Sequence, residues 1–189
     1  MPSMLPSPQF PTRYLEAAAR CLGELSPAHI ERIAQRLLDA YERGAQVFVA
    51  GNGGSASLAS HFACDLAKGV LGKNYRQAEK RFRVISIADN LALITAWAND
   101  VSYDDVFAEQ LRGLARPGDV LVVITASGNS PNIIAALDTA RELGVETIGW
   151  LGFDGGKALG MVDHAVVVEN HDYGLVESMH ALIGHLVTS

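Results

Sequence analysis

The sequence predicts an α/β fold: one parallel, five-stranded sheet with helices on both faces and a helical pair in front of it. Three observations lead there. Short runs of almost wholly apolar, Val- and Ile-rich sequence recur along the chain, as in strands buried on both sides. They alternate with amphipathic stretches of helical length. Two of the strand-to-helix junctions are rich in Gly and Ser. Right-handed crossovers put every such junction at the carboxyl edge of a parallel sheet, so the two share one rim.

Residues 1–12 read as a loose arm, because four of the first eleven residues are prolines. Residues 13–44 read as a helical pair. Tyr14 to Leu25 is its first member. Ser26 and Pro27 supply an N-cap and a first helical position for the second. Ile30, Ile33, Ala34, Leu37 and Leu38 then form an i, i+3, i+4, i+7 stripe that Gly44 closes. From residue 45 the alternation begins. Strands are predicted at Gln46–Ala50, Arg83–Ile87, Asp119–Thr125, Val145–Leu151 and His164–Glu169. Helices are predicted from the first Gly/Ser turn through Leu66, then at Leu91–Ala98, Asp104–Leu114 and Pro131–Leu143, and from Leu175 onward. Residues 69–81 read as a polar loop.

A chain of 189 residues, 49% hydrophobic and without a compositional break, fills one core and reads as one domain. Fifteen basic against twenty-one acidic residues supply no basic face for nucleic acid. The basic residues from Lys68 to Arg83 read as a solvated loop, the alternative being a patch that faces an anionic ligand. Cys21 and Cys64 form no CxxC pair or metal-finger spacing, and the apolar surroundings of Cys64 predict a buried thiol. There is no signal-peptide pattern and no apolar run of membrane-spanning length, so the expectation is a cytoplasmic protein without a membrane partner.

The first turn, Gly51-Asn52-Gly53-Gly54-Ser55, lets a ligand approach the backbone at a helix N-terminus. Alone, such a turn also serves close packing of strand on helix, and it is neither a Walker loop nor a GxGxxG. The second, Thr125-Ala126-Ser127-Gly128-Asn129-Ser130-Pro131, adds three hydroxyls at another helix start. Capping by Ser130 accounts for one of them and leaves Thr125 and Ser127 over. Two such turns on one rim predict a phosphate seat made of amides and hydroxyls.

Proton-handling groups lie nearby in the sequence. His61 and Asp65 share a helix face at i, i+4. Glu177, His180 and His185 fall within an arc of about 140° on an otherwise apolar helix. They read as partnered functional groups or as a solvated stripe.

The segments GNGGSASLASHFACDL at 51–66, ITASGNSPNIIAAL at 124–137 and GFDGGKALG at 152–160 resemble the SIS (sugar isomerase) domain family. The resemblance is strongest to its sedoheptulose 7-phosphate isomerase branch, the phosphoheptose isomerases. It implies a flavodoxin-like three-layer α/β/α sandwich that assembles as a homotetramer with sites at subunit boundaries. The implied reaction converts sedoheptulose 7-phosphate to D-glycero-D-manno-heptose 7-phosphate through an enediol, for heptose biosynthesis. By resemblance, Ser55, Ser127, Ser130 and Thr125, with the backbone of Gly53 and Gly54, hold the phosphate. Asn52, Asp89, Asn90 and Ala126 complete the sugar site. His61, Asp65, Glu177 and His185 map to zinc ligands. Asp65 is the implied base, His185 the acid and Glu177 the substitute base.

The sequence departs from the family at Asp65 and Glu177, where Glu and Gln are usual. It departs again at Gly69, where a basic residue is usual, and at Gly174-Leu175 in place of Asp-Arg. These changes bear on how the sugar hydroxyls are recognised. Some SIS proteins are non-catalytic phosphosugar-binding regulators or scaffolds. Retention of all four ionisable groups favours chemistry over that alternative.

Overall fold

Five apolar runs form a parallel sheet in the computed structural model, which describes residues 10–189. They are β1 (Gln46–Gly51), β2 (Arg83–Ser86), β3 (Val120–Thr125), β4 (Glu146–Gly152) and β5 (His164–Val168). Their order is β2-β1-β3-β4-β5, the doubly wound arrangement in which the chain reverses its direction of travel between β1 and β3. Alternate side chains of each strand enter opposite cores. Val47, Val49, Val122, Ile124 and Trp150 point to one face, and Phe48, Ala50, Val123 and Leu151 to the other.

The first core is covered by α1 (Phe10–Glu24), α2 (Pro27–Arg43), α3 (Gly54–Ala67) and α8 (Tyr173–Thr188). The second is covered by α4 (Leu91–Asp100), α5 (Ala108–Leu114), α6 (Pro131–Leu143) and α7 (Gly156–Leu159). The architecture is the expected three-layer α/β/α sandwich. Among the described residues no helix is long and apolar enough to cross a membrane.

Local chemistry sets the boundaries. Ser26 caps α2 through the His29 N–H, with Pro27 in the first turn, and Gly44 ends the helix at φ 70°. Residues 1–9 of the expected arm lie outside the described residues. Phe10, Pro11 and Thr12 already belong to α1, since proline in a first turn forfeits no helical hydrogen bond. The expected single helix at 104–114 is split into a 3-10 turn, Tyr103–Asp105, and α5. The Ser102 hydroxyl accepts the Asp104 N–H at 3.0 Å, a local bond that competes with the helical ladder. The loop after Lys68 contains a 3-10 segment, Gly69–Asn74. Three basic residues at its end are tied to the backbone: Lys80 donates to Glu42 O, Arg81 to Tyr75 O and Arg83 to Gly44 O.

The expectation for Cys64 fails. Cys21 is buried and Cys64 exposed. The buried face of α3 carries Ala59, Phe62, Ala63 and Leu66, and Cys64 lies about 150° around the helix from its centre.

Candidate active site

The first Gly/Ser turn leaves β1 and the second leaves β3, its direct neighbour, with Gly51 in register with Ile124. They therefore meet at the point where the sheet changes direction. Gly53, at φ 55°, caps α3 without a side chain. Ser130 caps α6, yet its side chain makes no hydrogen bond to that helix. Two helix starts thus bring N–H groups without side-chain caps to one place.

Between them lies a recess of about 120 Å³ lined by Asn52, Ser55, Ala126, Ser130 and the end of β3. Thr125 and Ser127 line it too. Thr125 Oγ1 accepts the Gly128 N–H at 3.2 Å and Ser127 Oγ accepts the Asn129 N–H at 3.3 Å. Each hydroxyl spends a lone pair on shaping the turn and keeps its own hydrogen to donate. The recess is a set of neutral donors suited to an anion. Asp89 and Asn90 do not line it. The Asp89 carboxylate accepts the Ser60 hydroxyl, and Asn90 caps α4 through the Leu93 N–H at 3.1 Å.

The remaining wall comes from α8. Tyr173 and Glu177 line the recess, and the Glu177 carboxylate lies against Gly54, where a side chain would overlap it. The Tyr173 ring packs edge-on against Phe153, with centroids 5.0 Å apart. Phe153 is the one non-glycine at positive φ, 54°, among the described residues, a strained backbone of the kind found beside ligand sites.

At the far end of the α3–α8 contact a second group assembles. Asp65 Oδ2 stands 3.3 Å from His61 Nε2 and 3.4 Å from His185 Nδ1. The two imidazoles meet edge to face at 5.2 Å. One ligand atom from each of the three residues lies within 4.8 Å of the others. Two nitrogens and one carboxylate oxygen form a donor set that suits a zinc ion with a position left over. Glu177 is not in this group. It precedes His185 by eight residues, about 12 Å along the helix axis.

His180, on the same arc in sequence, is fully buried. Its Nε2–H donates to Leu151 O at 3.1 Å, and Nδ1 has no partner among the described residues. Burial lowers its pKa from 6.5 to about 4, against the raising effect of that hydrogen bond. It is a core residue, neutral at ordinary pH.

Two participants carry no signal in the sequence reading. The buried Asn132 pairs with Asn52, and Tyr103 bonds to Asn52 as well. The polar Asn132 one residue after the helix-initiating Pro131 is the only local hint of either.

Residues 13–152 match the family model described as SIS domain. The chain belongs to the SIS domain family. Among its relatives is the phosphoheptose isomerase of Paramagnetospirillum magneticum, 38% identical over 155 residues, covering 82% of this chain and 78% of that one. The phosphoheptose isomerase of Helicobacter pylori is 37% identical over 172 residues, covering 91% and 86%. In three dimensions the SIS domain superposes on a phosphoheptose isomerase from Francisella tularensis with a TM-score of 0.88 at 28% identity, over 97% of both chains.

Proposed function

We propose that this SIS domain is a phosphoheptose isomerase, converting sedoheptulose 7-phosphate to D-glycero-D-manno-heptose 7-phosphate in heptose biosynthesis. The observation that carries the reading is the separation of two groups along one helix contact. The anion recess opens at Gly54, and His61 and Asp65 follow seven and eleven residues later on α3, roughly 10 to 16 Å along its axis. Helical side chains tilt toward the N-terminus and shorten that gap. An extended seven-carbon sugar phosphate spans such a distance, with its phosphate at one end and its carbonyl at the other. A triose phosphate is too short.

In this reading Ser55, Thr125, Ser127 and Ser130 donate to the phosphate with the amides of both helix starts. Asp65 removes a proton from C1 of the open-chain ketose while His185 delivers one to O2, giving the enediol. The pair then returns a proton to C2 and takes one from O1, leaving the aldehyde. Each acid–base partner of this kind contributes about 10²- to 10⁴-fold. His185 turns Nδ1 toward Asp65, which leaves Nε2 to handle the proton. Zinc, held by His61, Asp65 and His185, would polarise the carbonyl when bound. Glu177 belongs to the wall of the phosphate seat.

Two further parts of the proposal have support in the structure. Leu22, Leu38 and Leu186, on α1, α2 and α8, are each about half exposed, an apolar face suited to self-association as a homotetramer. Both cysteines are free thiols, which fits a reducing cytoplasm.

The test is direct. The purified protein, with and without added zinc, is incubated with sedoheptulose 7-phosphate and aldose formation is followed. Turnover is expected, together with zinc near one equivalent per chain by elemental analysis. An absence of turnover under both conditions overturns the assignment.

A further inference from the structure

Asn52 lies at the turn after β1 and lines the anion recess. Its Nδ2 donates to Asn132 Oδ1 at 2.8 Å, and Asn132 Nδ2 donates back to Asn52 Oδ1 at 2.9 Å. A reciprocal pair of primary amides is symmetric. Turning both over exchanges oxygen for nitrogen and restores two bonds of the same kind. The pair alone does not decide whether Asn52 offers oxygen or N–H to the recess, and Asn132, 1% exposed, has no further side-chain bond among the described residues to decide it.

Tyr103 anchors the pair without choosing between the two arrangements, because a phenol hydroxyl both donates and accepts. It sits on the 3-10 turn between α4 and α5, and its hydroxyl donates to Asn52 Oδ1 at 3.0 Å. Oδ1 then accepts two hydrogen bonds, one from Asn132 and one from Tyr103, and its lone pairs are spent. The second N–H of Nδ2 is the one polar group of this side chain left over among the described residues. In the reversed arrangement Tyr103 would accept from Nδ2 and an amide oxygen would meet the bound anion, a repulsive contact, so the anion itself selects the N–H.

We propose that Tyr103 is a positioning residue for sugar-phosphate binding: its hydroxyl holds the Asn52 amide in place at the edge of the recess, where a bound anion takes its N–H. The inference rests on reading that recess as the phosphate seat. Tyr103 does not line the recess. It acts through Asn52, across a loop far from both turns in sequence.

The experiment compares wild type, Tyr103→Phe, Asn52→Ala and the double variant. Binding of inorganic phosphate is measured by calorimetry, and KM and kcat for sedoheptulose 7-phosphate by steady-state kinetics. Loss of one neutral hydrogen bond predicts phosphate affinity roughly three- to tenfold weaker in Tyr103→Phe. KM should rise by the same factor and exceed any change in kcat. In the Asn52→Ala background the added Tyr103→Phe should weaken phosphate no further. Wild-type affinity in Tyr103→Phe, or an equal loss in both backgrounds, overturns the inference and leaves the phosphate seat standing. Wild-type protein that binds no phosphate overturns the seat and the inference together.

Discussion

The Glu177 carboxylate rests against the backbone of Gly54 so closely that a Cβ built there would lie 2.5 Å from Oε2. A full negative charge thus stands in the wall of a recess otherwise made of neutral donors. Placed about 4 Å from a phosphate, it opposes binding by on the order of 1 kcal/mol per unit charge even at the dielectric of water. Glu177→Gln keeps the shape and removes the charge, so KM for the sugar phosphate should fall several-fold and kcat should hold. The gain should shrink as ionic strength rises. A hundredfold loss of kcat would instead make Glu177 the proton-transfer group. Gly54→Ala tests the contact sterically: it should impair phosphate binding more than tenfold, and shortening Glu177 to Ser in the same chain should restore part of the loss.

Ser130 separates capping from binding. Replacing an N-cap Ser by Ala ordinarily costs about 1 kcal/mol of stability. Here the side chain bonds no helix N–H, so Ser130→Ala should leave the melting temperature almost unchanged. Phosphate affinity should drop about tenfold or more, as expected for a hydrogen bond to a charged group. Asp172→Ala is the contrast. Its carboxylate accepts the Leu175 N–H at 3.0 Å, and its loss should destabilise by about 1 kcal/mol. Thermal melts beside phosphate titrations check both. A large melting shift in Ser130→Ala would return that residue to an ordinary cap.

What the sequence made legible was local. Strand, turn and helix follow one another within a few residues at both Gly/Ser turns, so composition and order were enough to place them on one rim. The Asn52–Asn132 pair joins residues eighty positions apart, and no periodicity reports such a meeting. The arc that gathers Glu177, His180 and His185 is correct as an angle. Yet height along the helix and the depth of the neighbouring strand separate them. Glu177 falls at the recess, His180 in the core against β4, and His185 beside Asp65. Cys64 shows the converse error. An apolar neighbourhood in sequence suggested burial, while the helix turns that position away from its packed face.

The pairing of Asp65 with both imidazoles predicts a kinetic signature. Asp65→Asn keeps shape and hydrogen bonding but cannot hold a proton taken from carbon. Its kcat should fall by about 10² to 10⁴. His185→Ala should fall within the same range. Phosphate affinity, set at the other end of the contact, should change less than twofold in either variant. His61→Ala should lose bound zinc, read by elemental analysis. Near-wild-type kcat in both Asp65→Asn and His185→Ala would remove them from proton transfer.

His180 predicts how stability depends on pH. In the folded protein its pKa is lowered from 6.5 to about 4, chiefly by burial. Between those values the unfolded chain binds a proton that the folded chain does not, so stability rises with pH across this window. The contribution is complete above pH 6.5 and is lost progressively as pH falls toward 4, by at most about 1.4 kcal/mol for each unit. Protonation would also place a charged N–H at Nδ1, which has no partner among the described residues. His180→Gln retains a donor for the Leu151 carbonyl but does not titrate. Its urea midpoint should therefore be lower than wild type at pH 7 and should decline less steeply from pH 6.5 to 4. The difference in slope isolates His180 from the other histidines, which both proteins share. Parallel slopes across that window would mean that His180 takes up its proton equally well in the folded chain, against the burial that makes it a core residue.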